Sequence, residues 1–412
     1  MDPGMDPEMD PVTDLLSDHL LSEIRGRAAD VDRENRFFDE DFEALRERGY
    51  LRMLVPWEFG GLGFTLEQAA RAQRRLATAA PATALGINMH HVIVGIGYTL
   101  HLRGDERARR IFEDAVAGEV FAFGISEAGN DSVLFDAITR AEPATGGWAL
   151  HGTKIFTSLS PRWTRLLVHA RAEGPDAPGA APTEDDDAAR LLVGFLTRED
   201  HRSPAPGVTT RADWDALGMR ASQSCTTVLD GALLREADLL TTTAVGPNPD
   251  PVVWGIFGCF ELLLAAVYTG IADRAIEVAV EITTTRRSLA KGAAYSQDPD
   301  IRRHIARAGV LRDGIELQLR QLCADVDALG SDREVAHGRR WFVLFSGVKH
   351  RATEAAREVV DLALRASGGS QYRRGSELER LYRDVLAGMY HPSDEESVHA
   401  ATATSLLGPV AD

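Results

Sequence analysis

The residues with most chemical promise lie near the end of the chain, in "LYRDVLAGMYHPSDEES", where Arg383-Asp384 is followed by His391-Pro392-Ser393 and then by Asp394 and Glu395. A histidine exchanges protons near neutral pH, and a desolvated carboxylate can do the same. A second candidate, Glu261, interrupts the apolar run "CFELLLAA". A carboxylate buried in such a run is rarely idle. His90 and His91, in "GINMHHVIVG", either add a further proton carrier or simply pack a helix. Proton removal, or hydrogen bonding to a reactive intermediate, is the chemistry these groups support. Metal chemistry is not expected: Cys225, Cys259 and Cys323 are widely spaced and form no zinc pattern. They read as buried thiols in a reducing, cytoplasmic setting.

The elements that must position these groups change character along the chain. Residues 1–13, beginning "MDPGMDPEMDP", read as a disordered acidic tail, not a signal peptide. Residues 14–118 form an N-terminal helical domain, with apolar residues at helical spacing in "DEDFEALRERGY" and "TLEQAARAQRRLATAA". Residues 119–240 form a middle β domain of short β-branched and aromatic runs, such as "VFAFGIS" and "RLLVHARA". Within it, the Pro/Ala/acidic stretch 173–188 reads as a mobile loop. Residues 241–412 form a C-terminal helical domain whose long segments suit a four-helix bundle. The fold class is therefore α+β, and 412 residues exceed one compact core.

Composition narrows the partners. A net charge of −17 argues against a nucleic-acid surface. The longest apolar run, about 260–272, is too short and too polar at its ends to span a membrane. The loop "VPWEFGGLGFT" lacks the strand–helix setting of a dinucleotide fingerprint.

Five stretches in order carry a family pattern. They are "VPWEFGGLGFT", "FAFGISEAGNDS", "LHGTKIFTS", "ALGMRASQSCTTVLDGALL" and "SGGSQYRRGSELERLYRD". With them the chain resembles the acyl-CoA dehydrogenase family of flavoproteins over roughly 14–410. The resemblance implies a helical domain, a middle β-barrel or sandwich and a C-terminal four-helix bundle. It also implies FAD and a homotetramer.

Residue by residue, the resemblance places Phe123, Ile125 and Ser126 on a strand along the flavin, with Ile125 and Ser126 at its pyrimidine edge. Ser132 would approach the pyrophosphate. Phe156 would stand against the ring, Thr157 beside it, and the Ser158 hydroxyl near N5. Arg286, with Leu289, would serve the cofactor of a neighbouring subunit. Arg365, Gly368 and Gly369 would border its adenosine side, the glycines allowing close backbone approach.

The same resemblance exposes a gap. The family's catalytic glutamate sits in one of two places. Counting from Asp384 puts Pro392 in the first, with Asp394 or Glu395 able to swing in if the loop is two or three residues longer; counting from Gly270 puts Phe260 in the second, with Glu261 one residue on, a rotation of about 100° that leaves open whether it faces the flavin. Two readings follow. The first is oxidation of an acyl thioester, carried by CoA or a carrier protein, with hydride transfer to the flavin and an electron-transfer flavoprotein as partner. The second is the monooxygenase branch, which lacks the glutamate and uses reduced flavin and oxygen. There FMN could replace FAD and a flavin reductase would be the partner. His391 and Ser158 fit the second, with His91 as a further histidine and His391 as general base or hydrogen-bonding group.

Overall fold

The computed structural model describes residues 10–173 and 189–410. Most of the expected tail and mobile loop therefore lie outside the described residues. Where the tail is described, it is partly ordered: Pro11 opens helix α1 (Pro11–Leu15), and Val12 and Leu15 are buried.

Helices α2 (Asp18–Glu34), α3 (Asp39–Glu47), α4 (Leu66–Ala77), α5 (Pro81–Leu102) and α6 (Ala108–Ala117) form the first layer. Thr65 and Gln68 close a reciprocal capping box that starts α4. Almost every residue of α5 is buried, because neighbours cover it on all sides.

The strands are β1 (Phe121–Gly124), β2 (Arg140–Ala144), β3 (Gly147–Thr157), β4 (Arg165–Ala172), β5 (Arg190–Thr197), β6 (Val208–Thr210), β7 (Cys225–Arg235) and β8 (Leu239–Ala244). They make one sheet in the order β6-β7-β3-β2-β4-β5-β8, with β1 paired in parallel to β4. The expected boundary at 240 falls inside β8, so the sheet ends slightly later than the composition suggested.

One irregularity matters for the site. Lys154 pairs with Thr227, but the next pair is Thr157 with Cys225. The extra residue on β3 is a bulge, and bulges re-aim side chains. Phe156 adopts φ 57°, a left-handed conformation costly for a non-glycine residue, and the residue is 52% exposed.

The C-terminal helices are α7 (Pro251–Thr285), α8 (Pro299–Asp327), α9 (Arg340–Ser367), α10 (Glu377–Val385) and α11 (Glu395–Leu407). Helices α7, α8 and α9 pack on one another, and α10 joins α7 and α9. By length and composition α7 could cross a membrane, contrary to the sequence reading. However, 94% of its most apolar window is buried inside the fold, so its apolarity already has a partner. The Arg383–Asp384 pair ties bundle to sheet. Arg383 bonds Asp32 and Glu379 and donates to the Leu217 carbonyl, while Asp384 accepts from the Met219 amide at 2.6 Å. Gly218 is required there, because a Cβ would lie 2.2 Å from the Arg383 carbonyl oxygen.

Candidate active site

Two connected openings lie between the sheet and the bundle. A narrow slot of about 250 Å³ is bordered by Met89, Ser158, Trp214 and Ser224. A wider cleft of about 930 Å³ is bordered by Ser132, Asp136, Phe257, Glu261 and Phe342. Phe123, Ser126, Phe156, Phe260 and His391 line both.

The slot is aromatic with hydroxyl edges. Phe123 and Phe260 stack with centroids 5.6 Å apart and planes 27° apart. Phe156, pushed out by the bulge, stands edge-on to Trp214. Ser158 Oγ lies 2.7 Å from Ser224 Oγ, which lies 2.7 Å from Ser222 Oγ. Ser126 belongs to the segment after β1, and its carbonyl accepts from the Ile155 amide at 2.9 Å. Flat apolar walls with a few fixed hydroxyls suit a planar heteroaromatic ring. These residues fit a flavin ring.

The loop carrying His391 is held by one buried cation. Lys349, on α9, is 0% exposed and donates to the carbonyls of Gly388 (3.0 Å), His391 (3.1 Å) and Ser393 (3.2 Å). The His391 ring faces Tyr268, whose hydroxyl is 3.4 Å from Nδ1. Burial, and then the Lys349 charge, push the His391 pKa down to about 3. The ring keeps an edge on the open cleft, so the direction is what matters. At neutral pH the imidazole is uncharged, a weaker base than the sequence alone suggested and better suited to hydrogen bonding.

Glu261 lines the wide cleft and not the narrow slot. Phe260 takes the ring-facing turn of α7, and one residue along a helix is about 100° of rotation. Glu261 is 0% exposed in the wall of the wide cleft. Ser393 Oγ donates to its Oε1 at 2.5 Å, while Oε2 has no partner. Burial raises its pKa, against the pull of Lys349 and Ser393.

Other expected residues are scattered. His91 is a correction: it lies in the core of α5, edge-on to Tyr50 at 4.9 Å, and lines neither opening. Its neighbour His90 accepts from the Phe121 amide and contacts the Leu51 carbonyl at 2.7 Å, which fixes the start of β1. Ile125 and Thr157 are fully buried behind the slot, with Thr157 bonded to Thr227. Arg286 donates to the Ser367 carbonyl at 3.1 Å, which joins the C-terminal ends of α7 and α9. Leu289 is fully exposed, Arg365 pairs with Asp361, and Gly368 adopts φ 79° beside Gly369. None of these five lines the slot of its own chain.

Sequence reasoning missed a buried network under the cleft. Lys154 Nζ reaches Glu127 Oε1, His169 Nδ1 and the His169 carbonyl, each at 2.8 Å. Glu127 also accepts from the amides of Ile138 and Thr139 and from Asn130. Burial alone would raise the Glu127 pKa, but Lys154 and these donors hold it at about 2. The signal was present: Lys154 shares the inward parity of Trp148 and Leu150 along β3. Likewise Lys349 stands on the apolar stripe of Phe345, Val348, Ala352 and Ala356.

Comparison with known proteins decides the family. Residues 7–119 match the acyl-CoA dehydrogenase N-terminal domain, and residues 262–394 match the acyl-CoA dehydrogenase C-terminal domain. L-evernosamine nitrososynthase of a Micromonospora species is 33% identical over 90% of this chain and 83% of its own length. The chain belongs to the acyl-CoA dehydrogenase family. Dibenzothiophene monooxygenase of Rhodococcus erythropolis is 26% identical over 90% of this chain and 88% of its own. The solved structure of KijD3 in complex with FMN and dTDP-3-amino-2,3,6-trideoxy-4-keto-3-methyl-D-glucose superposes with a TM-score of 0.82. That protein is 29% identical, over 98% of this chain and 96% of its own. This member of the acyl-CoA dehydrogenase family is a flavin-dependent oxidoreductase, and its helical, sheet and helical parts are those the motifs implied.

Proposed function

We propose that this chain is a flavin-dependent monooxygenase acting on a small molecule. One observation carries the reading: both places where the family brings a carboxylate to the ring hold groups that cannot take a proton, Phe260 and Pro392. Similarity to a nitrososynthase and a monooxygenase supports it.

Reduced flavin supplies the electrons that oxygen activation requires. The chain's own residues do the rest. Phe123, Phe156 and Phe260 keep water from the ring. Neutral His391 and the Ser158–Ser224 hydroxyl pair offer hydrogen bonds at the slot without a fixed charge. Lys349 keeps His391 in place.

The slot accommodates the ring of FMN or FAD alike. For FAD, Arg286, Leu289, Arg365, Gly368, Gly369 and the Ser132 loop would complete the cofactor's far end. Because the first five lie away from the slot of their own chain, a homotetramer would bring them from a neighbour. A separate flavin reductase would supply reduced cofactor. Acyl-thioester oxidation remains a second reading because Glu261 lines the same cleft as His391.

The test uses labelled oxygen, a flavin reductase and NADH with a panel of amines and thioethers. One labelled oxygen atom in the product supports the proposal. Product formed only without oxygen, with no label incorporated, contradicts it.

A further inference from the structure

We propose that Tyr268 is a positioning residue for His391. Its hydroxyl donates to Nδ1, so the imidazole carries its proton on Nε2 and presents an N–H where slot and cleft meet. The tautomer rests on the geometry alone. Its service to a reacting oxygen rests on the monooxygenase reading.

Hydrogen-bond accounting sets the direction. A phenol has one proton, and a neutral imidazole has one N–H and one bare nitrogen. Tyr268, on α7, is 0% exposed. Among the described residues, its hydroxyl has one hydrogen-bond partner, His391 Nδ1, in a long bond of 3.4 Å. A proton on Nδ1 would point at the phenol oxygen and leave the phenol proton buried without an acceptor. Leaving a buried donor bare costs more than an ordinary hydrogen bond returns. With the proton on Nε2, the phenol and Nδ1 satisfy each other. Burial, and then the Asp384 charge, push the Tyr268 pKa up, so the phenol keeps the proton it donates.

Neighbouring donors do not compete for Nδ1. Lys349 directs its three protons to the carbonyls of Gly388, His391 and Ser393. The Ser393 hydroxyl is turned to Glu261. The phenol itself is pressed against the loop. A Cβ on Gly388 would lie 3.0 Å from Tyr268 Cε1 and 2.8 Å from Thr353 Cγ2, so only glycine fits there. The Tyr268 and His391 rings meet edge-on, with centroids 5.9 Å apart. Lys349 thus fixes the backbone of His391, and Tyr268 fixes its ring.

Nε2 is the edge left for a bound molecule. It has no partner among the described residues and is not sealed in the interior, and His391 lines both openings. An N–H at that point serves a hydrogen-bond acceptor, such as an oxygen atom gaining negative charge beside the ring. With Nε2 protonated and Nδ1 occupied, His391 acts as a donor and not as a general base.

The test is nitrogen-15 NMR of the flavin-loaded protein carrying labelled histidine, with His391→Asn identifying the His391 signals. The proposal expects a protonated Nε2 and an Nδ1 signal shifted by an accepted hydrogen bond. Tyr268→Phe should move the Nδ1 signal toward that of a bare nitrogen. Should that variant not fold, 3-fluorotyrosine in place of tyrosine strengthens the donor and should move the signal the opposite way. A proton on Nδ1, or an Nδ1 signal unmoved by either change, overturns the proposal. Stopped-flow mixing of protein-bound, photoreduced FMN with oxygen reads the consequence. Tyr268→Phe and His391→Asn should each slow the loss of the reduced-flavin signal about tenfold, with FMN affinity changed less than about twofold. The double variant should be no slower than His391→Asn, because the phenol acts through the imidazole. A wild-type rate in Tyr268→Phe overturns its positioning role. If the wild-type protein gives no faster loss than free reduced FMN, the monooxygenase reading fails, and the NMR result still decides the tautomer.

Discussion

Lys349 holds His391 by its backbone: Nζ donates to the His391 carbonyl at 3.1 Å and leaves the imidazole free to face Tyr268 and the cleft. The position of the histidine is thus set by a buried helix residue, not by the loop itself. Lys349→Met should release three carbonyls and leave Glu261 without its nearest cation. The expected loss is about 3 kcal/mol of stability, by denaturant titration, because breaking a buried charge arrangement leaves the other charge uncompensated. Lys349→Met combined with Glu261→Gln should lose less than the sum of the singles. Additive losses would show that the two groups are not coupled.

Glu127→Gln should act beneath the cleft. It leaves Lys154 buried without its anion and weakens the acceptors for Asn130, Ile138 and Thr139. We expect about 3 kcal/mol of destabilisation and a weaker flavin affinity, read by thermal melting and flavin titration. Wild-type stability in this variant would mean that Lys154 is already neutral.

Stability should fall on acidification from a higher pH than carboxylates alone would give. Burial lowers the His90 pKa to about 4, and burial with a neighbouring lysine lowers those of His169 and His391 to about 3. A histidine whose folded pKa lies below its unfolded value stabilises the fold above about pH 6.5, and that contribution is lost as pH falls toward the folded pKa. Each contributes a slope of up to about 1.4 kcal/mol per pH unit in that window. Urea midpoints from pH 8 to pH 5 should drop accordingly, and His391→Asn should flatten the slope. A midpoint independent of pH across this range would refute the neutral state of these histidines.

Ser158→Ala removes a hydroxyl at the slot while the Ser224–Ser222 contact survives. Its stability cost should be small, about 1 kcal/mol. Turnover should fall by about tenfold or more if the hydroxyl serves the bound ring. Ser222→Ala, one step farther from the slot, should leave turnover nearly intact.

The order of elements was legible because hydrophobic periodicity changes twice, near 119 and again before Pro251. The slot was also legible in Phe123, Ser126, Phe156 and Ser158, since short motifs on adjoining strands encode it. His91 misled because a histidine in an apolar helix reads the same whether it faces a cleft or the core. Glu261 was legible only in part: sequence set it beside Phe260 without fixing its rotation, and the turn of α7 places it in the wall of the wide cleft. Lys349 and Lys154 were visible only as charges at inward positions, and their partners lie far away in sequence. Such long-range pairings cannot be read from local pattern.

The most direct test of the central claim, that no carboxylate stands ready to oxidise an acyl thioester at the flavin, is anaerobic mixing. Flavin-loaded protein is combined with a panel of short, medium and aromatic acyl-CoA thioesters while the oxidised-flavin absorbance is followed. With Phe260 and Pro392 at the two base positions, the account predicts that the absorbance persists with every thioester. Rapid bleaching by any of them, abolished in Glu261→Gln, would contradict the account and make Glu261 the base of a dehydrogenase.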